Sequence, residues 1–144
     1  MKKEYLSSLK FDDYMVTDLS YSQNSDFSFD TDKLDVDFNL YAKVQLTNDN
    51  DAAVTLRAIC GDKENPNCPF TILVEVIGIF KFEGTIEDFE QLATTNAIAI
   101  LFPYVRSLVS DLSSRSNVYP QFRLPLLNVV EFIKEKNNLE VILP

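Results

Sequence analysis

Between Leu34 and Leu46 the chain alternates almost without a fault: Leu34, Val36, Phe38, Leu40, Ala42, Val44 and Leu46 fall on one side, and Asp35, Asp37, Asn39, Lys43 and Gln45 on the other. A period of two over this length describes a strand with one buried face, which needs a second layer to cover it. The Asn48–Asp51 stretch is turn chemistry, and Val54, Leu56, Ala58 and Cys60 then resume the alternation, so the two segments are expected to pair as an antiparallel hairpin. After the Gly61–Pro69 loop, Phe70, Ile72, Val74, Val76, Phe80 and Phe82 share one face of a third strand, while Leu73, Ile77 and Ile79 make its other face partly apolar. That strand belongs inside the sheet. Nearer the start, Met15, Leu19 and Tyr21 fit one register and Tyr14 and Val16 the other, a conflict that a β-bulge would remove.

At Thr85 the period changes. Thr85 and Asp88 stand at capping-box spacing, and Ile86, Phe89 and Leu92 or Ala93 recur at helical intervals, continued by Ile100, Tyr104, Leu108 and Leu112. The expected element is a long amphipathic helix, bent or broken before Pro103 because proline removes a backbone donor and crowds the preceding turn. Ser113–Asn117 ends it, Val129, Phe132 and Ile133 open a short final helix, and Lys134–Asn138 closes that one ahead of the apolar tail Leu139–Pro144. Four strands followed by helices is an α+β plan, and residues 1–144 suit one domain.

Hydrophobic residues at 46% and charged residues at 24% describe a chain that folds. Its 13 basic and 22 acidic residues give a net charge of -9, which argues against nucleic acid and anionic lipid as partners. Lys2 and Lys3 are followed by Glu4, Lys10, Asp12 and Asp13 before any apolar run can form, so no signal peptide is read, and no stretch reads as a membrane span. The expectation is a cytoplasmic protein. Cys60 and Cys68 are expected as free thiols in a reducing compartment.

Catalytic chemistry has little to stand on. The chain has no histidine, which removes the commonest general base and metal ligand, and its three glycines, Gly61, Gly78 and Gly84, are too scattered to cradle a phosphate. The acidic pairs Asp12/Asp13, Asp35/Asp37 and Glu87/Asp88 read as solvated faces. More informative is apolarity where a connector should be polar: Phe27 and Phe29 in an acidic loop, and the extended, aromatic stretch Val118–Leu127.

Three motifs carry a resemblance: Ile100-Leu-Phe-Pro-Tyr-Val-Arg106; Ser114-Arg115 followed by Tyr119-Pro-Gln-Phe122, Leu124 and Asn128; and Glu75-Val76 with Gly78-Ile-Phe80. In order and spacing they resemble the SecB protein-export chaperones over much of the chain. There are departures. Ser116-Asn117 replaces the family's glycine turn with an extra residue before Tyr119, the strand around Gly78 is one residue shorter, a proline has moved to Pro125, and an apolar tail stands where SecB chains end in a polar one. The chain therefore resembles a divergent SecB-like protein.

The resemblance implies a four-stranded antiparallel sheet packed on a long Pro-kinked helix and a short C-terminal helix, assembled as a homotetramer (a dimer of dimers) or a dimer. It implies an ATP-independent holdase, not an enzyme, with no cofactor, that keeps unfolded precursor polypeptides soluble in the cytoplasm and passes them to the SecA translocase motor. Carried onto this sequence, Phe27, Phe29, Tyr119, Phe122, Leu124 and Leu126 would line the polypeptide groove, Ile100, Phe102 and Tyr104 the subunit interface, and Asp18, Leu73 and Glu75 an acidic SecA-docking patch. Ser22 stands where that patch should have another acid. Two other readings stay open: a SecB-like chaperone dedicated to one client such as an antitoxin, without SecA docking, and an interaction module or enzyme that has reused the fold.

Overall fold

The computed structural model describes residues 8–27 and 36–144. Four of its strands are β1 (Leu9–Gln23), β2 (Phe38–Leu46), β3 (Asp51–Cys60) and β4 (Phe70–Phe82). β2–β3, β3–β4 and β1–β4 all pair antiparallel, with β4 lying between β1 and β3. The period-two pattern sets the faces as expected. Leu40, Val44, Val54, Leu56, Ile72, Val74, Val76 and Phe80 are all fully buried on the side that the helices cover.

The sheet has a fifth strand. β5 (Leu139–Ile142) adds parallel to β2, so among the described residues the order is β1-β4-β3-β2-β5 and the sheet is mixed, not the four-stranded antiparallel one expected. Its placement has a local cause. Asn137 takes a left-handed backbone (φ 61), turning the chain back after the last helix. The Asn138 amide then donates to Asn39 Oδ1 (2.9 Å) and to the Leu40 carbonyl (3.1 Å), while its own carbonyl accepts from the Ala42 N–H (3.0 Å). The tail is thereby delivered to the free edge of β2.

β1 resolves its own conflict by bulging twice, with register shifts between Phe11 and Asp13 and between Val16 and Asp18. Leu9, Phe11, Tyr14, Val16, Leu19 and Tyr21 all pair with helix-side residues of β4, and Met15 and Asp18 turn outward. The two registers seen in the sequence thus become one face.

Thr85 caps α1 (Ile86–Ala93), its hydroxyl accepting from the Asp88 N–H at 3.3 Å. The helix ends at Thr94 and Thr95, whose hydroxyls donate back to the Glu90 and Gln91 carbonyls at 2.9 and 2.7 Å. α2 (Asn96–Ser114) then runs unbroken through Pro103, so the break lies at the threonines and not before the proline. Pro103 forfeits the hydrogen bond to the Ala99 carbonyl, but both residues are exposed and water can serve the freed group. By length and mean hydropathy (1.3) the run Ile86–Ser114 would pass for a membrane span, a signal not read from the sequence; here Ala97, Ile98, Leu101, Val105 and Val109 bury its inner face on the sheet. A short helix α3 (Val129–Glu135), capped by Asn128, precedes β5.

Gly78 of β4 lies under Leu101 of α2: a Cβ there would stand 2.8 Å from Leu101 Cδ2 and 2.8 Å from Phe80 Cε1. Both atoms are side-chain ends that can shift at some cost. Gly78→Ala is expected to destabilise the fold by about 1–3 kcal/mol, the ordinary cost of overpacking, read as a lower urea midpoint with an unchanged slope. An unchanged midpoint would mean that α2 does not press on the sheet there.

Candidate functional site

The connector between α2 and α3 is held down by the helix it leaves. Ser113, fully buried, accepts from the Phe122 N–H at 2.8 Å, and its hydroxyl lies 3.1 Å from the Phe122 carbonyl and 3.0 Å from that of Ser110. Arg106 Nε donates to the Leu124 carbonyl at 2.7 Å, and Gln121 Nε2 to the Ser110 carbonyl at 3.2 Å. These bonds satisfy backbone groups of a segment that has no ladder of its own.

Pinned in this way, the connector lays two aromatic rings over the start of β4. Tyr119 and Phe122 stand 6.2 and 6.3 Å from Phe70 (ring centroids), Phe27 meets Tyr119 edge-on at 5.7 Å, and Tyr21 lies 5.7 Å from Phe70. Burial, and secondarily the nearby Tyr21, push the Tyr119 hydroxyl above its ordinary range. The Tyr21 hydroxyl is enclosed without a hydrogen-bond partner among the described residues. An apolar cluster with an unused polar group suits a polypeptide, which brings both side chains and backbone donors and acceptors.

The residues singled out in the sequence do not form one open surface. Phe27 is buried, Tyr119 and Phe122 are partly buried, Leu124 is fully buried and Leu126 is 85% exposed. Phe29 lies outside the described residues. Ile100 and Tyr104 are exposed on α2, whereas Phe102 is buried within the subunit. The Tyr104 ring lies 4.3 Å from that of Tyr14, tilted by 36°, next to Val16 and Leu19, which are exposed although they share the helix-side face. The helices leave the β1 end of that face uncovered. Asp18 stands opposite Glu75 in the register and Leu73 opposite Ser20, all three on the outer face.

The clamps were not read from the sequence, although one signal was there. Ser113 continues the stripe of Leu101, Val105 and Val109 at four-residue steps, a polar residue where the pattern calls for an apolar one. Elsewhere chemistry is sparse. Among the described residues no group of three His, Cys, Asp or Glu could hold a metal ion. Cys60 and Cys68 are buried free thiols, and burial pushes the Cys60 thiol up to about 12, which leaves it unreactive at neutral pH.

A family model described as preprotein translocase subunit SecB matches residues 2–138. The chain belongs to the SecB family. A protein-export protein SecB of Xanthomonas oryzae pv. oryzae is 34% identical over 85% of this chain and 75% of its own length. An uncharacterized protein of Methanocaldococcus jannaschii is 31% identical over 90% of this chain and 88% of its own. Among solved structures, a SecB-like chaperone of Mycobacterium tuberculosis, in complex with a peptide from the HigA1 antitoxin, superposes with a TM-score of 0.68. It covers 83% of this chain and 91% of its own at 18% identity, a likeness of fold. The fold is SecB-like α+β, with a mixed sheet, one long helix and two short ones.

Proposed function

We propose that this protein is an ATP-independent holdase, a single SecB-like domain that binds unfolded precursor polypeptides in the cytoplasm and catalyses no reaction. The observation that carries the reading is the aromatic cluster that Tyr119 and Phe122 of the connector form with Tyr21, Phe27 and Phe70, the connector being held by polar bonds at Ser113, Arg106 and Gln121. Such a connector can lift locally at a cost far below global unfolding and expose apolar surface to a client. The net charge of -9 keeps a loaded complex soluble. The uncovered strip of Tyr14, Val16, Leu19 and Tyr104 supports assembly as a homotetramer or dimer, since a lone subunit would leave it to water.

Delivery to SecA is the finer part of the proposal. Asp18, Glu75 and Leu73 sit together on the outer face, and Glu75 Oε1 accepts from Thr17 Oγ1 (2.8 Å), the hydroxyl of the bulge residue. Ser22 lies further along the same face opposite Thr71 and brings no charge. Complementary charge mainly speeds and orients docking, so weak, salt-sensitive binding of SecA is expected. Asp18→Lys with Glu75→Lys should reduce it further while client holding persists. Tight binding that ignores salt and survives the double reversal would place docking elsewhere.

A second reading is a chaperone dedicated to one client. It is favoured by the fold shared with the M. tuberculosis protein, which is seen with an antitoxin peptide. Titration of SecA at low salt separates the two, because a dedicated chaperone shows no binding there.

A further inference from the structure

The chain leaving β1 is tied to the approach to β4 by one side chain. Asn24, half-buried just beyond β1, donates from Nδ2 to the Cys68 carbonyl at 2.8 Å and to the Asn65 carbonyl at 3.2 Å, and its backbone N–H donates to the Pro69 carbonyl at 2.8 Å. The receiving loop is itself folded: the Cys68 N–H donates to the Asn65 carbonyl at 3.0 Å, and the Asp62 N–H to Cys68 Sγ at 3.3 Å. Asn24 also shapes the chain that follows it. Its Oδ1 accepts from the Asp26 N–H at 3.1 Å and its carbonyl from the Phe27 N–H at 3.2 Å, which closes a turn over residues 24–27.

That turn leaves Ser25 and Asp26 exposed and sends Phe27 inward, where it is buried edge-on against Tyr119 at 5.7 Å. Phe70, the ring nearest to both Tyr119 and Phe122 in β4, directly follows the Cys68–Pro69 pair that Asn24 holds. Phe70 is fixed without this help, because it stands opposite Gln23 in the β1–β4 ladder. Phe27 lies beyond the end of that ladder, so its place relative to Phe70 is set by the bridge from Asn24.

We propose that Asn24 is a positioning residue for polypeptide binding, which holds Phe27 as the fixed wall of the aromatic cluster while the α2–α3 connector moves. A ring ordered before the client arrives spares the cost of ordering a side chain on binding. Asn24 thus acts through Phe27 and touches no client itself. The proposal rests on the polypeptide-binding reading above.

The test titrates a fluorescein-labelled, uncharged peptide of leucine, serine and glutamine with the full-length protein and its variants. Affinities are taken per folded molecule, with the folded fraction read from circular dichroism. Asn24→Ala should bind about fivefold more weakly, the ordinary cost of ordering one side chain. Asn24→Asp should lose as much at a salt concentration that screens the added charge, since it keeps the acceptor of the turn and loses both donated bonds. Phe27→Ala should bind at least as weakly, and Asn24→Ala combined with Phe27→Ala no more weakly than Phe27→Ala alone. Parental affinity in any of the three single variants overturns the proposal. So does a fivefold loss that recurs when Asn24→Ala is added to Phe27→Ala, or an Asn24→Ala chain that does not fold, since either makes Asn24 a support of the fold at large. If the parent protein does not bind the peptide, the holdase reading fails and takes this role of Asn24 with it.

Discussion

Exchanging Tyr119, Phe122 and Leu126 together for serine is expected to lower affinity for an unfolded client at least tenfold. Tyr119 and Phe122 supply two of the five rings in the cluster, and Leu126, at 85%, is the most exposed large apolar side chain among the described residues. Loss of two aromatic surfaces and one aliphatic one removes more than the ~1.4 kcal/mol that a tenfold change represents. Because Tyr119 and Phe122 are half-buried against Phe70, the same variant should also lose about 2–3 kcal/mol of stability. Leu126→Ser separates the two effects, since a side chain so exposed contributes little to the fold. That single variant should keep the parental urea midpoint and still bind the client less well. If the triple variant binds as the parent does, the connector is not the binding element.

Removal of residues 139–144 should have the largest effect on solution behaviour. β5 places Leu139 opposite Ala42 and Val141 opposite Val44, each half-buried, and covers the β2 edge from Ala42 to Gln45. Half-burial of two such side chains is worth about 2 kcal/mol, so the urea midpoint should drop accordingly. More consequential is the bare edge, a row of unpaired backbone groups on an apolar strand. Light scattering should therefore rise with concentration in the truncated protein and stay flat in the parent. Equal midpoints and equal scattering would show that the tail does not hold to β2 in solution.

What the sequence disclosed follows from which forces act locally. Strict alternation identified β2, β3 and the interior position of β4, because one buried face on each strand fixes its register. The mismatch of Tyr14 and Val16 with Leu19 and Tyr21 announced the bulge at Thr17. The helix break was misplaced because Pro103 is a visible local cost that exposure makes tolerable, while the back-bonded pair Thr94 and Thr95 carries no equally strong mark. β5 stayed hidden because its anchor is non-local: Asn138 bonds to Leu40, 98 residues earlier.

The candidate site was legible as a segment and not as a surface. Leu124 and Leu126 share a parity, and an extended strand would point them the same way, yet one is fully buried and the other almost bare. No ladder holds the connector to a period of two; its path is set by the bonds from Arg106, Ser110 and Ser113. Those partners belong to α2, and a reading of the connector alone does not reach them.

The most direct measurement of the central claim is suppression of aggregation. An unfolded client diluted from denaturant is followed by light scattering without ATP, with this protein added in increasing amounts and its mass in solution determined in parallel. Holdase activity predicts that scattering falls to baseline near one assembly per client chain, with the protein itself dimeric or tetrameric. Scattering that stays at the level of the client alone, at any excess of a properly folded protein, would contradict it.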